Sequence, residues 1–111
     1  MPLVSLITAC YNNANYLRPY LDGVLHQTYP NVQYIFINDG STDETEEVVL
    51  SHKRQIEAKG WDFVYIKQEN MGVAGAVNTA LSLVKGKYCA QVCVNTHTSS
   101  RLLNGRINQP E

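Results

Sequence analysis

Two short polar stretches carry the side chains best suited to hold a small polar molecule. Cys10-Tyr11-Asn12-Asn13-Ala14-Asn15 follows one apolar run, and Asn38-Asp39-Gly40-Ser41-Thr42-Asp43 follows another. A nucleotide needs a flat face for its base and an acceptor for an imide or ribose group. Tyr11 can supply the first and Asp39 the second. The pattern leaves a plainer reading equally open, with Tyr11 a half-buried loop aromatic and Asp39 a turn residue bonding its own backbone. A glycine cradle for phosphates is missing from the first loop, which rules out the dinucleotide G-x-G-x-x-G form and a Walker A loop there. Gly72 and Gly75 make only G-x-x-G, after the third apolar run rather than the first. Cys89, Cys93 and His97 recur at every fourth residue. Three ligands without a fourth are a weak zinc signal, and two small strand residues with a histidine beyond them account for the spacing better.

The elements that must position these residues follow from hydrophobic patterning. Leu3–Ala9, Tyr34–Ile37, Phe63–Ile66 and Tyr88–Val94 are short apolar runs of buried-strand length. Between them lie helical patterns. Leu17, Leu21, Val24 and Leu25 recur at helical spacing, with Asn15 as the expected cap and Pro19 in the first turn. Ser41 followed by Glu44 reads as a capping box, opening a helix to about Ala58 that Gly60 stops. A third helix is expected over Val73–Val84, with Val77, Ala80, Leu81 and Val84 on one face and Gly86 as its stop. The order β-α-β-α-β-α-β predicts a parallel sheet with helices on its faces. Right-handed crossovers then bring both polar loops to the carboxyl edge of the sheet.

The chain has 111 residues, enough for one core and one domain. Hydrophobic residues are 44% and charged residues 17%, a globular balance. The formal net charge of -1 argues against a nucleic-acid surface. No apolar run is long enough to span a bilayer, and no basic residue precedes Arg18, so no secretory signal is expected. Three cysteines make no disulfide scaffold and fit a reducing cytosol. The charge is unevenly spread: no Asp or Glu lies between Glu69 and Glu111. Lys85, Lys87, Arg101 and Arg106 near that stretch can attract a diphosphate, although solvated surface charge is the default. Residues 95–111 read as a polar tail with little fixed structure, leaving 1–94 as the folded unit.

Five segments together resemble family 2 glycosyltransferases of the GT-A fold. Val4-Ser5-Leu6-Ile7-Thr8-Ala9-Cys10-Tyr11-Asn12 is similar to the opening strand, V-S-[IV]-I-[IV]-P-[TA]-Y-N. Gln27-Thr28-Tyr29 resembles Q-[TS]-[YF], and Asn38-Asp39-Gly40-Ser41-Thr42-Asp43 resembles D-D-G-S-T-D. Asn70-Met71-Gly72 with Ala76-Val77-Asn78 resembles N-x-G and A-x-N, and Gly86-Lys87-Tyr88 resembles G-x-Y. The resemblance implies an α/β fold, a Rossmann-like parallel sheet with flanking helices that forms part of a GT-A domain. It implies a nucleotide-diphosphate sugar donor, UDP-linked, and a saccharide or related acceptor. Tyr11 is then expected to flank the base, Asp39 to bond it, and Ala9 to contribute backbone. The segment from Asn70 to Asn78 is expected beneath the ribose and diphosphate. Gly72 and Asn78 belong to it, although a turn glycine and a packing asparagine account for them as well.

The departures from the family pattern matter as much. In the family, the strand after G-x-Y ends in D-x-D, whose carboxylates hold Mg²⁺ or Mn²⁺ against the diphosphate. The corresponding positions here are Cys93, Val94, Asn95 and Thr96, none of them acidic. The family's inverting displacement also needs a carboxylate base from an acceptor-binding half, which is expected to be missing here. The expectation is an incomplete, inactive form of the transferase, truncated or frame-altered after residue 88. The alternative is a non-catalytic nucleotide-binding or partner-binding module, its fourth strand offering an uncovered sheet edge to a partner chain. The resemblance is compatible with peripheral membrane association and a cytoplasmic setting.

Overall fold

A computed structural model describes residues 2–93, with nothing beyond the backbone for Cys93. The elements are β1 (Val4–Cys10), α1 (Ala14–Leu25), β2 (Val32–Asp39), α2 (Thr45–Ala58), β3 (Asp62–Gln68), α3 (Gly72–Leu81) and β4 (Tyr88–Cys93). The alternation is the expected one. All pairings are parallel, in the order β3-β2-β1-β4.

That order dictates where the helices go. The chain steps from β1 to β2 to β3 in one direction, then crosses back past both to add β4 beside β1. Right-handed connections put helices of opposite stepping direction on opposite faces. So α1 and α2 share one face and α3 covers the other. Side chains alternate along each strand accordingly. Leu6, Tyr34, Phe36 and Ala90 pack with Leu17, Leu21, Val49 and Ile56 beneath α1 and α2. Ile7, Ile35 and Ile37 pack with Ala76 and Ala80 beneath α3. The reversal of stepping direction falls between β1 and β4, the kind of place where open α/β sheets bind ligands.

Several local expectations need correction. α1 begins at Ala14, not after Asn15, and its cap residue Asn13 makes no side-chain cap bond. The free Ala14 N–H donates instead to Asp43 Oδ2 at 3.1 Å, from the neighbouring loop. Pro19 therefore lies in the second turn, not the first. The capping box at Ser41 and Glu44 does not form. α2 starts at Thr45, where Asp43 Oδ1 accepts from the backbone N–H at 3.0 Å and from the hydroxyl at 2.5 Å. Its end at Ala58, with Gly60 at φ 85°, is as expected.

α3 stops at Leu81, short of Val84. Its buried face is Ala76 and Ala80, one helical turn apart, while Leu81 is exposed and Val77 half-buried. Small residues let this helix sit close to the sheet, which the count of larger apolar residues hides. Gly86 is not its stop. A Cβ on Gly86 would lie 2.6 Å from the Ser5 backbone nitrogen, so glycine there lets the loop close onto β1. Gly86 N–H donates to Ser5 Oγ at 2.9 Å, and Gln33, bonded to Ser5, also receives Lys85 N–H. Val94 and the expected tail 95–111 lie outside the described residues.

Candidate functional site

The carboxyl ends of β1, β2 and β3 are laced together by side chains from their loops. Asn12 sits in the left-handed region at φ 50°, a conformation asparagine tolerates. Its Oδ1 accepts from Thr42 N–H at 2.7 Å and Asp43 N–H at 3.3 Å. Its own N–H donates to Ser41 Oγ at 3.0 Å. With the Ala14–Asp43 bond, these contacts staple the first loop to the second. They fix the backbone just after Tyr11, whose side chain stays 47% exposed at the edge.

Asn38 and Asp39 end β2 and point to opposite faces. Asn38 lies on the α2 side. Its Nδ2 donates to Tyr65 Oη at 2.9 Å, and its Oδ1 accepts from Ser41 N–H at 3.1 Å. An amide does both jobs at once, whereas a carboxylate in the family's usual place could only accept. Tyr65 in turn donates to Glu46 Oε2 at 3.0 Å. Burial above all pushes the Tyr65 hydroxyl up to about 12, against the pull of the Asn38 hydrogen bond and with Glu46 adding to the rise.

Asp39 lies on the α3 side, only 3% exposed. Its Oδ1 accepts from Met71 N–H at 2.9 Å and from Gln68 Nε2 at 3.0 Å. Its main-chain carbonyl accepts from Asn70 Nδ2 at 3.2 Å. Asp39 thus bonds the next strand's loop rather than its own backbone. Both side-chain bonds fall on one oxygen, so among the described residues Oδ2 has no partner. Gly40, at φ 76°, makes this approach feasible: a Cβ there would lie 2.6 Å from the Asn70 nitrogen.

The other expected site residues fall around this frame. Ala9 pairs with Ile37 on one side and Cys93 on the other, at the carboxyl end of β1. Gly72 opens α3 at φ 80°, a backbone reason for glycine, with open space where a Cβ would go. Asn78 is exposed on α3. Sequence reasoning did not single out Gln68 or a role for Asn12. Gln68 stands opposite Asp39 only through the β2–β3 register, and nothing local to it in the sequence signals that pairing.

Cys10 ends β1, and its thiol is pushed up to about 11, mainly by burial. Burial raises Cys89 as well. Neither is an activated nucleophile. Among the described residues, no three His, Cys, Asp or Glu side chains converge on one point. The last residue of β4 and the three positions after it, Cys93 to Thr96, offer a thiol, an amide and a hydroxyl, with no carboxylate. That donor set does not fit a hard divalent cation, which wants several anionic oxygens. No described helix is long and apolar enough to cross a membrane.

The family model "Glycosyl transferase family 2" matches residues 5–92. The chain belongs to this family. An uncharacterized glycosyltransferase of Rickettsia prowazekii is 45% identical over 87 residues, covering 78% of this chain and 25% of the relative. Chondroitin synthase of Pasteurella multocida is 36% identical over 92 residues, covering 83% of this chain and 9% of that protein. The chain thus spans a quarter or less of the length of these curated relatives. Among solved structures, S. aureus TarS 1-349 in complex with UDP-GlcNAc superposes with a TM-score of 0.79 at 21% identity, over 91% of this chain and 29% of that one. A mannosyltransferase of Pyrobaculum calidifontis, in complex with GDP-Man and Mn²⁺, gives 0.72 at 28% identity, over 85% and 28%. The α/β fold expected of a partial GT-A domain is the one these solved structures share.

Proposed function

We propose that this chain is the donor-nucleotide-binding portion of a family-2 glycosyltransferase, holding the nucleoside diphosphate of a UDP-sugar destined for a saccharide or related acceptor. The observation that carries this reading is Asp39: a buried carboxylate with one oxygen gripped by two N–H donors and the other without a partner among the described residues. Uracil presents an N3–H flanked by two carbonyls, and a fixed acceptor suits it. Tyr11 covers the flat face of the base, and Ala9 contributes backbone at the adjacent strand end. Gly72 and Asn78 belong with the ribose and diphosphate side, the former through its backbone.

The residues of this chain bind and orient the donor, and no step is assigned to a metal. In the family a divalent cation neutralises the departing diphosphate, and the set from Cys93 to Thr96 lacks the charge for that. A base for the acceptor hydroxyl is not identified either. The 111-residue polypeptide by itself is therefore expected to bind donor without turning it over. A cytosolic setting fits the free thiols of Cys10 and Cys89.

A second reading, a non-catalytic module that works with a partner chain, is favoured by one feature. β4 pairs with β1 alone among the described strands, which leaves its other side as a sheet edge. Sedimentation separates the two readings, since a clean monomer at high concentration counts against an obligate partner.

The test is calorimetric titration of UDP into the full chain, with Mn²⁺ and again with EDTA. Binding is expected in both, equal within about twofold, because carboxylate ligands are missing. Asp39→Ala is expected to weaken it about 10–100-fold, the range for a hydrogen bond to a charged group. Absence of binding by a folded wild-type chain, or undiminished binding by the variant, overturns the reading.

A further inference from the structure

Asp39 is held by one neighbour that is itself held. β2 and β3 pair with Asp39 opposite Gln68, so the two side chains share the α3 face. Gln68 Nε2 donates to Asp39 Oδ1 at 3.0 Å. At its other end, Gln68 Oε1 accepts from Thr79 Oγ1 at 2.8 Å. Thr79 lies on α3, where its hydroxyl also reaches the Gly75 carbonyl at 3.1 Å.

The polarity of this chain is determined. A carboxylate oxygen must receive the amide nitrogen, so the amide oxygen must face away, and Thr79 offers it a donor. The amide cannot flip without putting oxygen against oxygen at Asp39, so the carboxylate sets its orientation and Thr79 anchors its far end. Met71 N–H, from the backbone at the start of α3, occupies the same Oδ1 at 2.9 Å. Two donors on one oxygen hold the carboxylate and leave Oδ2 without a partner among the described residues.

We propose that Gln68, locked by Thr79, is a positioning residue that aims Asp39 Oδ2 at the base and so sets which bases are accepted. This rests on the reading of Asp39 as the base-binding residue. An outward acceptor suits a ring N–H, as in uracil N3–H or guanine N1–H. It opposes cytosine N3 and adenine N1, which present lone pairs at the corresponding place. Neither Gln68 nor Thr79 needs to touch the nucleotide. Their effect passes through the carboxylate, in the way outer groups orient the ligands of a metal site.

The experiment is titration of UDP and CDP into the full-length wild type, Gln68→Leu, Gln68→Met, Thr79→Val and Asp39→Ala, each checked for folding by circular dichroism. The wild type is expected to bind UDP about 10–100-fold more tightly than CDP. Gln68→Leu and Gln68→Met should lower UDP affinity about tenfold while leaving CDP affinity unchanged, so the ratio collapses. Thr79→Val should move the ratio the same way by a smaller factor. A merely structural role would weaken both nucleotides equally and preserve the ratio. An unchanged ratio in the folded Gln68 variants overturns the proposal, and should one of them not fold, the other and Thr79→Val decide it. A wild type that does not discriminate, or an Asp39→Ala variant that still does, overturns the reading of Asp39 itself.

Discussion

The carboxyl ends of β1, β2 and β3 and the carboxyl end of β4 lie along one sheet edge but are built for different physical work. At the first three, Asp39 receives three hydrogen bonds from residues 68–71, and Asn12 receives two from the backbone of residues 42–43. Each loop there is fixed by its neighbour. At the fourth, the strand pairs with β1 alone among the described strands, and Cys93 with the three positions after it, Val, Asn and Thr, stands where the family places carboxylates. Recognising a base needs short, directed hydrogen bonds, which a fold supplies from within one compact unit. Neutralising a diphosphate needs charge, which side chains at two or three positions supply or fail to supply. The two tasks are separable, and on the proposed reading the first three loops serve the one while Cys93 to Thr96 carry no acid for the other.

The largest predicted effect breaks the base-binding end through its backbone. In Gly40→Ala the new Cβ meets the Asn70 main chain at 2.6 Å while the residue stays at φ 76°. Neither problem can be relieved by a flexible side chain. A loss of about 3 kcal/mol is expected, with UDP binding lost as Asn70 and Met71 move away from Asp39. Gly60→Ala is the control, at the opposite end of the strands. Its φ is 85°, but nothing lies within 4 Å of the Cβ. It should carry only the conformational term, about 1 kcal/mol, and leave UDP binding alone. Chemical denaturation and calorimetry check both, and equal destabilisation would show that the loop contact at Gly40 is not what holds this end together.

A smaller effect is expected at the first loop. Asn12→Ala removes the acceptor shared by Thr42 and Asp43 and puts a less tolerant residue at φ 50°. The expected cost is about 1–2 kcal/mol, read as a lowered unfolding midpoint. Asn12→Gly removes the same acceptor but relieves the backbone, so it should cost less. Both should weaken UDP binding by freeing Tyr11, and a variant that binds UDP normally would detach the staple from the site.

How much of this was legible in the sequence depends on how local each feature is. The four strands announce themselves through runs such as Val4–Ile7 and Tyr34–Ile37, and their alternation with helices settles the parallel α/β architecture. Tyr11 and Asp39 stand out because a turn-forming stretch after a strand is where ligands bind. The caps misled for a physical reason. Ser41, Asp43 and Asn12 have the right side chains for local caps and turns, yet Ser41 and Asn12 bond across loops, and Asp43 serves both α1 and α2. The α3 face misled because close packing against the sheet selects Ala76 and Ala80 over the larger Leu81. Gln68 was invisible because its partner is defined by strand register, which no spacing within the chain reveals. The missing acids near Cys93 were plain from the sequence, since charge composition needs no fold to be read.

The smallest predicted effect concerns acid stability, and it again separates the two ends. Asp43 is desolvated, which raises its carboxyl, but bonds from the Thr45 hydroxyl and the Ala14 and Thr45 N–H groups outweigh this and hold it below the usual carboxylate range. A carboxyl lower in the folded state than in the unfolded chain stabilises the fold above its unfolded value. That contribution fades as pH falls through its folded value, because the unfolded chain takes up the proton more readily. Wild type should therefore lose stability on acidification in the range just below ordinary carboxylate titration. Asp43→Asn keeps an acceptor for Thr45 but cannot titrate, so its stability should vary less with pH there. The difference is expected to be modest, since Asp43 is exposed and solvent screens it. If denaturation curves of the two proteins run parallel from neutral pH into that range, Asp43 is a spectator and the first two loops are held by Asn12 and Ser41 instead.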